Sequence, residues 1–246
     1  VEKEPVTVVC SKMGWVRSVR GHIELDQDLK FKDGDEKGFI FHAESTDRIL
    51  IFGSNGRFYT IPCANLPKGR GMGEPVRLIV DLPNDVTIVD IFVHDPMSKL
   101  LLVSGLGDGF IVRETEVLAQ TRSGKQVLNL QKNSVAVICH RICGDHVAVV
   151  STNGKLLVFS TLELPEMSRG KGVRLQKYNS SKGRQGSLAL DGGLSDLTTF
   201  NWSDGLSWNT GGGKSRNQVD MTTWLSKRAG VGRKSPHGFP KQNKFL

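Results

Sequence analysis

ILIFGSNGRFYTI, at residues 49–61, is the stretch that decides the fold. Two apolar runs flank Asn55-Gly56, and Asn-Gly is the pair that a two-residue type I′ turn prefers, because both central positions of that turn need φ > 0. The stretch therefore predicts a β-hairpin. The segment that follows, LPKGRGMG at residues 66–73, is basic and rich in glycine, which predicts a loop rather than a strand or a helix.

Both parts of this pattern recur 98 residues further along the chain. VAVVSTNGKLLVF at residues 147–159 surrounds a second Asn-Gly turn, and LP at residues 164–165 is followed by RGKG at residues 169–172. Ten residues separate the turn glycine from Leu-Pro in both copies. The recurrence indicates a repeat protein.

Less regular copies of the hairpin extend the repeat over the whole chain. Their turn glycines are spaced by 42 to 59 residues and are predicted to be Gly14, Gly56, Gly109, Gly154 and Gly213. A period near 50 with four short strands per unit is typical of propeller-like blades. The sequence therefore predicts an all-β domain of about five blades over residues 1–233, followed by a basic, mobile tail over residues 234–246.

The charge is distributed unevenly along the 246 residues. The net charge is +8, but residues 1–153 carry 18 Lys and Arg against 19 Asp and Glu, whereas residues 154–246 carry 15 against 6. A positive field of this kind is the footprint expected for contact with nucleic acid or another anionic surface. The alternative is a surface that only keeps the protein soluble.

Cations accompany the glycines in four loops, at residues 70–73, 122–125, 169–172 and 228–232. Glycine lets a backbone and a neighbouring cation approach a phosphate closely, although the same glycines could serve only to allow tight turns. Further cations follow the turn glycines. The candidate DNA contacts are Arg17, Arg20, Arg57, Lys68, Arg70, Arg122, Lys125, Lys155, Arg169, Lys171, Arg174, Lys214, Arg216, Arg228 and Arg233.

No motif for catalysis or metal binding is found in the sequence. The chain lacks G-x-S-x-G, the P-loop pattern and H-E-x-x-H. Cys139 and His140 are adjacent in a predicted strand and would point to opposite faces, which is unsuited to tetrahedral metal ligation, so Cys139 and Cys143 are predicted to be buried strand cysteines. We predict no catalytic residue and no metal site in this chain.

The compartment follows from cysteine usage and hydropathy. Four cysteines do not form a dense disulfide framework, no signal peptide is found, and no apolar run approaches the roughly 20 residues of a membrane span. The sequence therefore predicts a cytoplasmic protein without a membrane-spanning segment. Because it begins at Val1 rather than Met, we expect a fragment of a longer chain.

The chain also contains five distinctive motifs, KMGWVRS at 12–18, RGH at 20–22, LKFKDGD at 29–35, SNGRFY at 54–59 and LPKGRGMGEP at 66–75. In combination they resemble the C-terminal domain of the A subunit of bacterial DNA topoisomerase IV, in the family that also contains gyrase A. The resemblance covers residues 6–175 well and the last full unit loosely.

The resemblance implies a β-pinwheel, a propeller-like disc that is often open or broken in the topoisomerase IV form. It implies that this domain binds double-stranded DNA. The parent would be a type IIA topoisomerase, which is an isomerase, and would act in decatenation, supercoil relaxation and chromosome segregation. Its partners would be the rest of the A subunit together with the B subunit, with no small-molecule substrate. No cofactor is implied in this chain, since ATP and Mg²⁺ belong to other domains of the parent. The resemblance is also compatible with association of the protein with the nucleoid and with peripheral membrane association of the parent.

Two alternatives remain open from the sequence. The first is the DNA-wrapping C-terminal domain of gyrase A, which carries a Gln-Arg-Arg-Gly-Gly-Lys-Gly box. This chain has no intact copy of that box, and MSRGKG at residues 167–172 is the nearest remnant, which favours topoisomerase IV. The second is a propeller-like protein-interaction module in which the tail alone binds DNA.

Overall fold

The computed structural model describes residues 2–69, 71–182 and 188–246, with backbone only at 179–182 and 188–191. Over these residues the chain is all-β, as the sequence predicts, and its only helical segments are single 3₁₀ turns. The strands are β1 (Pro5–Ser11), β2 (Trp15–Arg20), β3 (Lys37–Glu44), β4 (Arg48–Gly53), β5 (Arg57–Pro62), β6 (Glu74–Pro75), β7 (Ile88–Val93), β8 (Lys99–Ser104), β9 (Asp108–Arg113), β10 (Lys125–Gln126), β11 (Ala136–Arg141), β12 (His146–Ser151), β13 (Lys155–Ser160), β14 (Val173–Arg174), β15 (Asn179–Lys182), β16 (Leu188–Asp191), β17 (Leu194–Phe200), β18 (Leu206–Gly211), β19 (Lys214–Gln218) and β20 (Arg233–Lys234). The 3₁₀ turns are Cys63–Asn65, Val76–Leu78, Glu114–Val117, Thr161–Glu163 and Thr222–Trp224.

Four sheets of four strands share one plan. Their strand orders are β3-β1-β2-β6, β7-β4-β5-β10, β11-β8-β9-β14 and β17-β12-β13-β20. Each has a central hairpin, a long outer strand beside its first strand and a two-residue strand beside its second. The predicted fifth unit forms only the two-stranded hairpin β18–β19 in the described part of the chain, and β15–β16 is a separate short hairpin.

The strands of one sequence repeat do not all belong to one sheet of the structure. The polar turn after β3 leads into β4, which lies in the next sheet, and β6 follows β5 in the chain but pairs with β2 of the first sheet. Likewise β14 follows β13 but pairs with β9. Each sheet is therefore completed by a two-residue strand that comes after the next hairpin in the chain.

The central hairpins are buried on both faces. Residues 49–52 in β4 and 147–150 in β12 are all fully buried, which explains why these strands read as continuous apolar runs rather than as alternating patterns. Their second strands are also apolar, and Phe52 stacks on Phe58 across the second hairpin, with the ring centroids 4.6 Å apart. The hairpins form the apolar cores of the fold.

The chain divides into two compact units. Unit 1 comprises residues 1–98, 113–131 and 135–139, and unit 2 comprises residues 99–112, 132–134 and 140–246. Unit 1 contains the first two sheets and a core that includes Ile51 and Tyr59. Unit 2 contains the fourth sheet, the hairpin β18–β19 and a core that includes Trp208.

The third turn glycine differs from the predicted one. Gly107 has a φ of +86°, similar to the values near +80° of the other turn glycines. Gly109 lies inside β9. The sequence offers Gly105, Gly107 and Gly109 two residues apart, so composition alone could not choose among them. With Gly107 as the turn, the first four turns are spaced by 42, 51 and 47 residues.

One glycine in each basic loop has a structural role that the four sheets share. Gly73, Gly124, Gly172 and Gly232 all have φ between +75° and +85°. A Cβ on any of them would lie well inside 3.0 Å of a backbone carbonyl oxygen, on Val16, Phe58, Gly109 and Leu156 respectively. Each of those carbonyls belongs to the second residue after the turn glycine. Glycine therefore lets the loop reach the hairpin and begin the two-residue strand.

Residues 234–246 do not form the mobile tail that their charge predicts. Phe239 and Phe245 are buried in the core of unit 2, where the Phe239 ring packs against Trp208 with centroids 5.4 Å apart. The backbone N–H of Phe245 donates to Asp196 Oδ2 at 2.9 Å, and its carbonyl accepts from the Asn209 N–H at 2.8 Å. Two aromatic side chains thus hold this basic segment against the rest of unit 2.

Substituting Gly124 tests the close approach of loop and hairpin. Gly124→Ala is expected to lower the free energy of unfolding by about 3 kcal/mol, because it adds a clash with the Phe58 carbonyl to the cost of a left-handed backbone. Gly34 has a similar φ of +82°, but nothing lies within 4 Å of the position that a Cβ would take there, so Gly34→Ala should cost only about 1 kcal/mol. Urea denaturation of both variants measures the difference, and equal losses would contradict the proposed role of Gly124.

Substituting Phe245 tests the packing of the C-terminal segment. Phe245 is 2% exposed, so Phe245→Ala should destabilise the protein by about 3 kcal/mol. The adjacent Leu246 is 96% exposed, and Leu246→Ala should change stability by less than about 0.5 kcal/mol. Thermal unfolding followed by circular dichroism compares the two. A Phe245→Ala variant as stable as the Leu246→Ala variant would show that the segment is not packed.

Candidate nucleic-acid interface

The candidate cations divide by what their side chains contact. Arg17 lies on β2 and is 7% exposed. Its Nη1 donates to the Gly71 carbonyl and its Nη2 to the Lys30 carbonyl, both at 2.9 Å, and the guanidinium lies over the Phe31 ring, 5.5 Å from the centroid. Burial lowers the pKa of the Arg17 guanidinium from its usual value. Arg17 therefore holds two loops of its own chain and is not the surface cation that the sequence predicts.

Arg57, at the start of β5, also donates hydrogen bonds to backbone carbonyls. Its Nε and Nη2 donate to the Ser123 carbonyl at 3.0 and 2.7 Å, and Nη2 also donates to the Gly124 carbonyl at 3.0 Å. Its Nη1 lies 3.4 Å from Gln126 Oε1. The guanidinium is directed into the loop at 122–125 of unit 1.

Arg122 and Lys125 flank the two carbonyls that Arg57 contacts. Arg122 is exposed, with its Nε 3.4 Å from Asp81 Oδ1 and its Nη2 3.2 Å from the Leu78 carbonyl. Lys125 Nζ donates to the Glu116 carbonyl at 2.6 Å. An ion pair as exposed as Arg122–Asp81 contributes little, so a phosphate could replace the carboxylate at little cost.

Unit 2 carries cations on its two-residue strands. Lys171 and Arg174 are exposed in and after the third basic loop, and Arg233 is exposed on β20. Lys234 is missing from the contacts predicted above, yet its side chain is also exposed. It lies opposite Lys155 in the β13–β20 pairing. Like Arg174, it is the second residue after its loop glycine. The register from the loop glycine to the next strand would have identified it.

Arg228 anchors its own region of unit 2. Its Nε donates to the Glu163 carbonyl at 2.9 Å and its Nη1 to the Arg174 carbonyl at 2.7 Å, while its backbone N–H donates to Glu163 Oε1 at 3.0 Å. The guanidinium therefore holds the strand that presents Arg174. Like Arg17 and Arg57, Arg228 binds backbone carbonyls.

The remaining candidates lie in several places. Arg20 and Lys68 are exposed and line a cavity of about 550 Å³ in unit 1, together with Cys63. Lys155 is half-buried at the start of β13, Arg169 is exposed in the third loop, and Lys214 and Arg216 are exposed on β19. The predicted contact Arg70 lies outside the described residues.

The two units differ in charge more than the two ends of the sequence do. Unit 1 holds 15 Lys and Arg against 17 Asp and Glu, whereas unit 2 holds 18 against 8. Loop 66–73 in unit 1 is followed by Glu74 at the position that Lys125 and Arg233 occupy in two other loops. The positive field therefore belongs to unit 2.

The structure also shows the surroundings of the histidine and the two cysteines that the sequence offers as possible metal ligands. His140 Nε2 lies 2.8 Å from Thr199 Oγ1, and burial lowers the pKa of His140 despite the opposing charge of Asp196. Cys139 is half-buried and Cys143 is exposed in a turn, which differs from the buried strand cysteines predicted from the sequence. Among the residues that the structure describes, no three His, Cys, Asp or Glu side chains are grouped as metal ligands. No helix in that part of the chain is long and apolar enough to cross a membrane.

A chain built from repeated four-stranded sheets with basic connecting loops is of the propeller class. The family model of the DNA gyrase C-terminal domain, described as a β-propeller, matches residues 47–95, 98–138 and 145–181. The chain belongs to this family.

Curated relatives narrow the similarity to one branch of the family. The chain is 44% identical over 245 residues to the A subunit of DNA topoisomerase 4 from Rickettsia bellii, and 42% identical over 245 residues to that from Caulobacter vibrioides. Both matches cover the whole of this chain and 32% and 31% of the relative. The chain thus spans about a third of the length of these proteins.

Solved structures agree with this assignment. The C-terminal domain of Escherichia coli ParC matches with a TM-score of 0.79 and 28% identity, covering 97% of this chain and 96% of that one. The C-terminal domain of DNA gyrase A matches with a TM-score of 0.63 at 16% identity, covering 96% of this chain and 80% of that one, which shows a shared fold. The predicted β-pinwheel class and the resemblance to the topoisomerase IV branch are confirmed.

Thiol labelling tests the environment of the cavity that Arg20 and Lys68 line. Burial, aided by Asp47 and opposed by Lys68, raises the pKa of Cys63 to about 11, and burial with the charge of Asp35 raises that of Cys10 to about 12. A raised pKa keeps both thiols neutral at pH 8, so iodoacetamide should modify exposed Cys143 and spare Cys10 and Cys63.

Peptide mapping by mass spectrometry after labelling reads out each site. The same reaction in denaturant serves as the control and should modify all four cysteines. Native Cys63 labelled as fast as Cys143 would contradict its burial.

Proposed function

We propose that the chain is the duplex-DNA-binding C-terminal module of a topoisomerase IV A subunit. It binds DNA through phosphate neutralisation and shape rather than through base readout. The observation that carries the proposal is the excess of 18 cations over 8 acids in unit 2, several of them exposed on or beside the short strands that follow the basic loops. Membership of the gyrase C-terminal domain family and the similarity to DNA topoisomerase 4 support it.

The principal contacts are assigned to Lys171, Arg174 and Arg233. All three are exposed, and they lie on or beside two-residue strands whose position is set by loop glycines. Rigid backbone of this kind presents a cation at a fixed place, which reduces the ordering cost of binding. Arg122 and Lys125 provide a weaker site in unit 1, where Asp81 competes for Arg122.

The parent enzyme would use this module to hold and orient DNA segments. In this proposal, strand cleavage, the Mg²⁺ site and ATP hydrolysis belong to other parts of the A subunit or to the B subunit, which act in decatenation and supercoil relaxation. The chain itself needs no cofactor. Its working location is the cytoplasm, in association with the nucleoid.

Salt dependence tests whether phosphates provide the affinity. For duplex DNA, the slope of log K against log [salt] should be steep, with about 0.9 per phosphate neutralised. A variant carrying Lys171→Gln, Arg174→Gln and Arg233→Gln should bind DNA at least about tenfold more weakly and lose up to about 2.7 from the magnitude of that slope. Fluorescence anisotropy between about 50 and 200 mM salt measures both quantities. A flat salt response of the unaltered chain would overturn the proposal.

The alternative in which the C-terminal segment alone binds DNA needs a different variant. Deleting residues 234–246 would also remove buried Phe239 and Phe245, so a loss of binding could reflect unfolding. The double variant Lys241→Gln and Lys244→Gln removes two charges and keeps both aromatic residues. If this variant loses binding while the loop variant keeps it, the segment and not the loops holds DNA.

A further inference from the structure

Two of the cations in unit 1 are bound to the loops that carry other cations. Arg57 contacts the carbonyls of Ser123 and Gly124, which lie between Arg122 and Lys125 in the sequence. The guanidinium donates three hydrogen bonds of 2.7 to 3.0 Å to these two consecutive carbonyls. Since peptide units are planar, binding two consecutive carbonyls fixes the orientation of both peptides.

The contact uses the planar fork of a guanidinium. Arginine presents five N–H donors in fixed directions. Here Nε and Nη2 both donate to the Ser123 carbonyl, and Nη2 also donates to the Gly124 carbonyl. A lysine ammonium would keep the charge, but it has one nitrogen on a flexible stem that ends one bond short of Nη2, so it could not place two nitrogens on the Ser123 carbonyl.

Arg17 repeats the arrangement on the first hairpin. It joins the Gly71 carbonyl in the basic loop 66–73 to the Lys30 carbonyl in the segment before β3, and both bonds are 2.9 Å long. The side chain is almost fully buried, so its charge is satisfied by backbone dipoles and by the Phe31 ring rather than by solvent. Both arginines lie on the second strand of a hairpin and reach into a basic loop that contains glycine.

A glycine-rich loop without such an anchor would be costly to order on a ligand. Glycine loses more conformational freedom on ordering than any other residue, and a loop that is ordered in advance does not incur that loss on binding. Arg57 holds two of the three peptide units between Arg122 and Lys125, and the third is held by the Asp81 N–H, which donates to the Arg122 carbonyl at 2.8 Å. Arg57 therefore helps to set the distance between the Cα atoms of Arg122 and Lys125.

We propose that Arg57 is a positioning residue that holds the loop at residues 122–125 in the conformation in which Arg122 and Lys125 meet DNA phosphates, and that Arg57 does not contact phosphate itself. Arg17 holds its own loop by the same kind of contact. The proposal rests on the proposed function, and it reassigns Arg57 from binding DNA to organising the interface.

Paired substitutions at Arg57 test the proposal. Because Arg57→Lys keeps the charge and loses the fork, it should weaken binding of a duplex oligonucleotide as much as Arg57→Gln does, by roughly fivefold to tenfold. Amide hydrogen exchange at residues 122–126 should accelerate in both variants without DNA, which reports the loop directly. Arg17→Lys should likewise accelerate exchange at residues 71–73, provided that circular dichroism shows it folded.

Arg48 supplies a matched control. It lies on the same hairpin at the opposite end from Gly56, and it is exposed. Arg48→Lys and Arg48→Gln should leave DNA affinity and exchange at residues 122–126 unchanged.

Two outcomes would overturn the positioning role. If Arg57→Lys binds as well as the unaltered chain while Arg57→Gln binds weakly and lowers the salt slope by about 0.9, Arg57 contacts phosphate directly. If exchange at residues 122–126 is unchanged in both variants, Arg57 does not order the loop. The two proposals fail separately, because an unaltered chain that does not bind DNA overturns the proposed function, whereas hydrogen exchange still reports the anchor.

Discussion

The close approach of each returning loop to a hairpin is the constraint on which the rest of the structure depends. Gly73, Gly124, Gly172 and Gly232 share one backbone conformation and one neighbour, a carbonyl on the second strand of the hairpin. No residue with a Cβ fits there, so this contact makes the two-residue strands possible and completes each four-stranded sheet. Cations follow these glycines by one or two residues in three of the four loops, so the same contact also determines where positive charge is presented.

The arginines of the repeat have two distinct roles, and their place in the fold separates them. Arg17 and Arg57 lie on hairpin strands and direct their donors at backbone carbonyls. Arg174 and Arg233 lie on the short outer strands, where their side chains are exposed. A buried guanidinium such as that of Arg17 must satisfy its donors within the protein, whereas an exposed one is hydrated and can exchange water for phosphate.

Much of the fold could be predicted from the sequence, because Asn-Gly turns and long apolar runs are strong local signals. The completion of each sheet by a two-residue strand from beyond the next hairpin could not be predicted, since such a strand has no periodicity and its partner is set by a distant glycine. The packed C-terminal segment was missed because Phe239 and Phe245 are separated by a proline and four polar or charged residues, a pattern without strand or helix periodicity. At the candidate site, the sequence identified the cations but not their roles, since the burial of Arg17 depends on two loops distant in the chain.

Because each sheet is completed by a strand from beyond the next hairpin, the order in which the protein can fold during synthesis is restricted. The first sheet begins at Pro5, yet its last strand ends at Pro75, after the whole of the next hairpin has left the ribosome. The fourth sheet likewise waits for residues 233–234, after the hairpin β18–β19 has been made. Each sheet is finished one step behind the growing chain, so the nascent protein carries one hairpin with an unpaired edge until residues 233–234 have been made.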